Sequence, residues 1–295
     1  MVKRLFKELA ARRLMFLVTI LPGALVFLML FGLYSRSRSI LALHSFSDLL
    51  FGSSWFPLKG EFGLYPFLMG TVWVTLAAMA IAVPVSLLSA IYLSEYAPRR
   101  IRETIKPIVD LLSGIPSVVF GVWGVLMIVP FVAKIAPAFG AYSTGYSVLA
   151  GAIVLAIMVF PTIIHVSLEV FASVPQSLRD ASLSLGATKW ETVKHVVLRK
   201  GLAGIIASVA LGFSRAFGET MAVLMVVGNT PIIPKSVFDS AYPLPALLAN
   251  NYGEMMSIPL YDGALMLAAF VLLLIVLVFN IGARVVLIRA EQKAE

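Results

Sequence analysis

The chain has 295 residues, 60% of them hydrophobic and only 13% charged, with 23 Lys and Arg against 15 Asp and Glu for a formal net charge of +8. About a quarter of an ordinary soluble domain is charged, so this balance excludes a soluble globular protein and fits a chain that lives in lipid. The absence of cysteine excludes disulfides, thiolate chemistry and cysteine-held metal.

The apolar runs are long and unbroken, rich in Leu, Val, Ile and Ala, whereas barrel strands would alternate over about ten residues. Lipid-exposed backbone must pair internally, so the runs read as helices. Crossing about 30 Å of hydrocarbon takes roughly 20 apolar residues. Six spans are predicted, at 14–34, 66–93, 111–133, 148–171, 202–228 and 262–288.

Basic residues precede the first span, but its apolar stretch is too long for a signal-peptide core and "YSRSRS" after it offers no small-residue cleavage site. It is expected to remain as an anchor. With its following loop it forms a segment, 1–65, distinct from a core at 66–288 and a tail at 289–295. Loop 35–65 contains "ILALHSFSDLLFG" and then "SSWFPLKGEFGLYP". It reads equally as an interfacial helix with an aromatic anchor or as a surface loop packed on the bundle. Pro84, Pro116 and Pro161 fall in spans two, three and four and are expected to interrupt or kink them.

Six spans put both termini on one side, whose segments hold 17 basic residues against 5 on the other. The positive-inside rule makes that side cytoplasmic, in a multi-pass protein of the cell membrane. The net charge thus reflects topology and not a nucleic-acid partner.

Between spans four and five lies "ASVPQSLRDASLSLGATKWETVKHVVLRKG", residues 172–201. Ser173 with Gln176, and Thr188 with Glu191, have the spacing of capping boxes, and Gly186 between them fits a helix stop. A helix, a glycine turn and a second helix are expected. Val174, Leu178, Ala181 and Leu185 fall on one stripe of the first helix. That stripe packs either on the chain's own spans or on a partner protein.

Span five contains "RAFGET", with Arg215 and Glu219 inside an otherwise uncharged run. Four residues apart, they are expected on one helix face, which Ser208 and Gly212 extend with small residues. Even lenient scales assign about 2.5 to 3.5 kcal/mol to an arginine at the centre of a span, so this face looks into protein or water. An intrahelical Arg-before-Glu pair is worth only tenths of a kcal/mol, too little to justify both charges. An ion pair to other helices and a place on a substrate path both remain open.

His165 and Glu169 are also four apart, and a hydrogen-bonded pair between helices is the expected role rather than a metal site. His44 and His195 lie in loops, and Met221, Met225, Met255 and Met256 read as packing. The sequence has no His-Glu-x-x-His, no Gly-x-Ser-x-Gly and no Gly-x-x-x-x-Gly-Lys-Ser/Thr, so neither intramembrane hydrolysis nor ATP hydrolysis is expected of it, and no cofactor. A secondary transporter or channel could use Arg215 and Glu219 equally well. It would have no need for the glycine-split loop.

That loop, from Asp180 through Gly186 to "VVL" at 196–198, resembles the EAA loop of permease subunits in ABC importers. Asp180, Ala181 and Ser182 stand for the usual Glu-Ala-Ala, and Arg199 for the usual proline. "LSGIPSVVFGVWGVLMIVP", "SLSLGATKWETV" and "SRAFGETMAVLMVVGNTPIIP" extend the resemblance to the PstC-type permeases of phosphate-specific ABC importers, from about Tyr65 to the end. The resemblance implies an all-α integral membrane protein with six transmembrane helices and the type I ABC importer permease (MetI-like) fold. It implies a second, related permease subunit, cytosolic ATP-binding subunits and an extracytoplasmic phosphate-binding protein as partners. Asp180, Ala181, Leu185, Gly186 and Ala187 would couple to the ATPase, and Arg215 and Glu219 would serve phosphate movement. An arginine fork suits an oxyanion because it donates two parallel hydrogen bonds and keeps its charge.

Overall fold

The computed structural model describes residues 2–254, 257, 258 and 260–292; Met255, Met256 and Lys293 lie outside them. In chain order the elements are α1 (Val2–Leu41), α2 (Phe46–Phe51), β1 (Trp55–Phe56), β2 (Glu61–Phe62), α3 (Tyr65–Ile91), α4 (Arg99–Gly114), α5 (Ser117–Trp123), α6 (Val129–Ile135), α7 (Val148–Ser173), α8 (Gln176–Ser184), α9 (Lys189–Thr192), α10 (Leu198–Lys200), α11 (Leu202–Phe217), α12 (Met221–Val226), α13 (Leu244–Asn251) and α14 (Tyr261–Gln292). Single π-turns at Tyr92–Tyr96, Gly124–Ile128 and Val193–Val197 extend or join them.

Helices α3 and α7 are the central pair. Val74, Ala78 and Ala82 on α3 meet Val148, Ala152, Leu155, Ala156 and Val159 on α7. In lipid there is little hydrophobic drive between helices, so close approach through small residues does the packing. Helix α11 packs on α7 and on α14, while α12 packs between α5 and α7. Helix α1 lies outside this core against α14. Its lipid-length stretch, Ala11–Leu41, has no buried residue in its most apolar window. Spans alternate in direction, so the bundle has a near end, carrying the termini, and a far end.

At the far end the segment after α1 is a packed loop. Helix α2 has only six residues, and β1 pairs antiparallel with β2, Trp55 opposite Phe62. Trp55 stacks edge-on against Phe62 and Phe67, with ring centroids 5.7 and 5.1 Å apart. The indole anchors the loop to the bundle.

Two predicted spans are corrected. The third runs from Ser117 to Phe139, not 111–133, because Pro116 holds Ile115 in extended backbone (φ −70°, ψ 129°) and ends α4 at Gly114. The fifth is not one helix over 202–228. Helix α11 stops at Phe217, α12 starts at Met221, and the Lys189–Lys200 segment before α11 meets it at 71°. Pro84 and Pro161, by contrast, sit inside unbroken helices. Helix α14 continues to Gln292, so the described part of the tail is helical.

At the near end, α8, Gly186 and α9 form the expected helix, glycine turn and helix. The Thr188–Glu191 capping box is complete. The Thr188 donors hold the Glu191 carboxyl below the ordinary carboxylate range. A depressed carboxyl stabilises the fold above its unfolded pKa, so this cap weakens as pH falls through the lowered value. The other box does not form. Ser173 ends α7, its hydroxyl donating to the Val170 carbonyl, and Pro175 precedes α8. The chain leaves a helix there and so cannot cap one.

Gly186 has φ +87°, and the amides of Gly186 and Ala187 donate to the carbonyls of Leu183 and Ser182. This double closure needs a left-handed residue at the glycine. Gly186→Ala is expected to cost the turn about 1 kcal/mol. Faster hydrogen exchange at the amides of Gly186 and Ala187 would report it; unchanged exchange would count against the strain.

Candidate functional site

Helix α11 approaches α7 through residues that leave room. The hydroxyls of Ser208 and Ser167 are 3.0 Å apart, both buried. At Gly212 an added Cβ would lie 2.7 Å from the Ile163 side chain and 3.0 Å from that of Val159. Farther along the same face, Arg215 donates from Nη1 to Thr162 Oγ1 at 2.8 Å. Ser208, Gly212 and Arg215 therefore share the expected face. Arg215 is nevertheless exposed. It lies about 20 Å along the helix from Leu202 at 1.5 Å per residue. Among the described residues Thr162 is its only partner, which leaves four of five guanidinium N–H groups unused.

Glu219 departs from expectation. Helix α11 has ended, with Gly218 as its last cap, so Glu219 lies in the break and not on the Arg215 face. Its Oε1 accepts from the Ala222 amide at 3.3 Å and caps α12, where the helix dipole favours a carboxylate. No ion pair joins it to Arg215. The physical reason is legible afterwards: Gly-Glu-Thr is a stop followed by N-terminal acceptors, and the apolar run "MAVLMV" hides the boundary.

The loop residues are placed as follows. Asp180 is exposed and accepts from Gln176 Nε2 at 3.0 Å. Ala181 is exposed, Leu185 is 90% exposed, and Gly186 and Ala187 close the turn. Leu178, Leu183 and Trp190 are exposed as well. Only Val174, at the start of the predicted stripe, is buried. Packing on the chain's own spans is thus excluded for Leu178, Ala181 and Leu185.

Sequence reasoning missed what holds this hairpin in place. Arg179, off the stripe, reaches Glu95 in the π-turn after α3, with Nη2–Oε1 2.8 Å and Nε–Oε2 3.2 Å. It also donates to the carbonyls of Phe171 and Val174 at the end of α7. Both charged side chains are about nine-tenths buried. Lys189 sits 4.9 Å over the Tyr96 ring, and Ser182 bonds Thr192 across the hairpin at 2.9 Å. The only signal was a lone carboxylate in "YLSEYAPRR" at the end of span two. A cleft of about 650 Å³ lies beside the clamp, lined by Arg102, Gln176 and Leu183 among others.

His165 bonds Asp110 on α4, Nε2–Oδ1 2.8 Å, and not Glu169. It does link two helices. Among the described residues no group of three metal-ligating side chains occurs.

The near end thus carries a helix-turn-helix whose apolar stripe is largely unpacked, and Arg215 is an exposed cation at the break in the fifth span. Residues 82–290 match the family "Binding-protein-dependent transport system inner membrane component". The chain belongs to this family. A relative in Bacillus subtilis, "Probable ABC transporter permease protein YqgH", is 38% identical over 244 residues, 80% of this chain and 78% of the relative. "Phosphate transport system permease protein PstC" of Xylella fastidiosa is 35% identical over 271 residues, 87% and 83% of the two chains. A solved bacterial ABC transporter involved in alginate import has the same fold, with TM-score 0.62, 14% identity and coverage of 97% and 99%. The binding-protein-dependent permease fold accounts for the helical core described above, and the resemblance read from the motifs holds.

Proposed function

We propose that this chain is the permease subunit of an ATP-driven importer that moves inorganic phosphate across the cell membrane. The observation that carries the reading is Arg215, exposed in the last turn of α11 beside the break in the fifth span, with most of its donors unused. An oxyanion is the ligand that a planar, permanently charged fork satisfies best. The phosphate transport names of relatives at about one-third identity support the same substrate.

Arg215 and Glu219 would border the path from different segments. Glu219, as the cap of α12, would oppose prolonged binding of an anion at Arg215, since transport needs a site weak enough to leave. The excess of basic residues at the near end supports a cytoplasmic location for both termini. Residues 66–288 would be the transport core, 1–65 an anchor with its outer loop, and 289–295 a cytoplasmic tail.

Hydrolysis would take place in cytosolic ATP-binding subunits and not here. Asp180, Ala181, Leu185, Gly186 and Ala187 would seat in those subunits, a related permease would complete the path, and an external binding protein would deliver phosphate. ATP binding would draw the loops together and turn the path outward, with hydrolysis resetting it. Leu185→Glu puts a charge on the docking stripe and is expected to lower co-purification of the ATPase at least fivefold, a coupling of about 1 kcal/mol. Undiminished co-purification would remove the stripe from the interface.

The deciding experiment is ATP hydrolysis by the reconstituted complex with its binding protein. Phosphate is expected to stimulate it several-fold over sulfate. If no oxyanion does so, the phosphate assignment fails and the permease serves another substrate.

A further inference from the structure

Thr162 stands near mid-length of α7, about 21 Å along the helix from Val148 and about 17 Å from Ser173 at 1.5 Å per residue. A threonine inside a helix commonly turns its hydroxyl back to the carbonyl four residues earlier. Thr71 on α3 does so to Phe67 at 2.8 Å, and Thr104 on α4 to Arg100 at 3.0 Å. Thr162 makes no such bond among the described residues. Its Oγ1 instead accepts from Arg215 Nη1 on α11 at 2.8 Å. The small residue at Gly212, one turn before Arg215, makes that reach possible. A Cβ there would press on Ile163 and Val159 and push α11 away from α7.

An arginine that serves only structure looks different in this chain. Arg179 is held by both oxygens of Glu95 and by the carbonyls of Phe171 and Val174, so its charge is answered and its donors are taken. Arg215 has one neutral acceptor. A hydroxyl orients a guanidinium without cancelling its charge. Engaging Nη1 also leaves the Nε–Nη2 edge whole, and that edge offers two parallel N–H groups to an oxyanion. Neither nitrogen makes a hydrogen bond among the described residues.

We propose that Thr162 is a positioning residue of the transport path: it fixes the Arg215 guanidinium against α7, so that phosphate meets a preset side-on fork. An untethered arginine stem samples many rotamers, and an anion binding it would have to still that motion first. The inference rests on the phosphate reading of the path and adds a second residue to it, on a different helix from the cation.

The test uses the complete complex in proteoliposomes with its binding protein, measuring labelled phosphate taken up per ATP hydrolysed. Thr162→Val keeps the shape of the side chain and removes the acceptor. Phosphate per ATP is expected to fall about tenfold, the effect of one hydrogen bond to a charged group. Thr162→Ser restores the hydroxyl without the methyl and is expected to return the ratio to within about twofold of native. Thr162→Ala also lacks the hydroxyl and adds no bulk, and it carries the test should Thr162→Val fail to assemble. A mere tie between α7 and α11 predicts lower thermal stability of the complex with a native ratio. That result, or a serine variant as impaired as the valine one, overturns the positioning role. The phosphate reading survives such a result if Arg215→Ala is impaired in the same preparation. A native complex whose hydrolysis ignores phosphate overturns both.

Discussion

Arg215→Ala is expected to abolish phosphate uptake while the subunits remain assembled. The guanidinium gives the protein one hydrogen bond, to Thr162, and the residue is exposed, so little packing is lost. What goes is the cation proposed to meet the anion. Two charge-assisted hydrogen bonds at about 1.5 to 3 kcal/mol each correspond to at least a hundredfold fall in transport. Arg215→Lys keeps the charge but not the fork, and an intermediate rate is expected. Uptake in proteoliposomes, with co-purification of the subunits as control, checks both. Native uptake by assembled Arg215→Ala would take this residue off the path.

The other large effect is expected at the clamp between Glu95 and Arg179. Glu95→Ala leaves a guanidinium buried with two carbonyls and no counter-charge, a change that costs about 3 to 5 kcal/mol. Because Arg179 ties α8 to the ends of α3 and α7, loosening it would free the hairpin, proposed above as the docking element, from those helices. The expected signature is uncoupling: ATP hydrolysis persists without phosphate, and phosphate per ATP falls about tenfold or more. Exchanging the charges, Glu95→Arg with Arg179→Glu, is expected not to rescue, because a glutamate at 179 would face the carbonyls of Phe171 and Val174. Full rescue by the exchange, or normal coupling in Glu95→Ala, would reduce the clamp to a local staple. The structural alternative predicts loss of assembly without uncoupled hydrolysis.

Much of this was legible in the chain because membranes impose a simple grammar. Runs such as 148–171 could be only helices of one length, and the structure returns Val148–Ser173. The capping box at Thr188 and the left-handed Gly186 were equally readable, since both are decided within a few residues. Failures arose where a local signal lay inside apolar sequence or depended on distant partners. The stop at Gly218 sits in a run that continues to read as helix, so Glu219 was assigned to the Arg215 face instead of the α12 cap. Pro116 was expected to interrupt or kink the third span, and it interrupts the helix, but the sequence did not show that what precedes it is a separate amphipathic helix. Arg179 and Glu95 are 84 residues apart, and no periodicity links them.

The exposure of Arg215 bears on the cell's accounting of subunits. In a lone copy Arg215 is uncovered, and a charge that meets lipid instead of protein or water costs up to roughly 2.5 to 3.5 kcal/mol. Covering it by a companion relieves that cost, so the bilayer itself ranks assembled chains above orphans. Quality-control machinery that samples unstable spans would then find unassembled copies first, and the abundance of this subunit would follow that of its companion without any dedicated regulator.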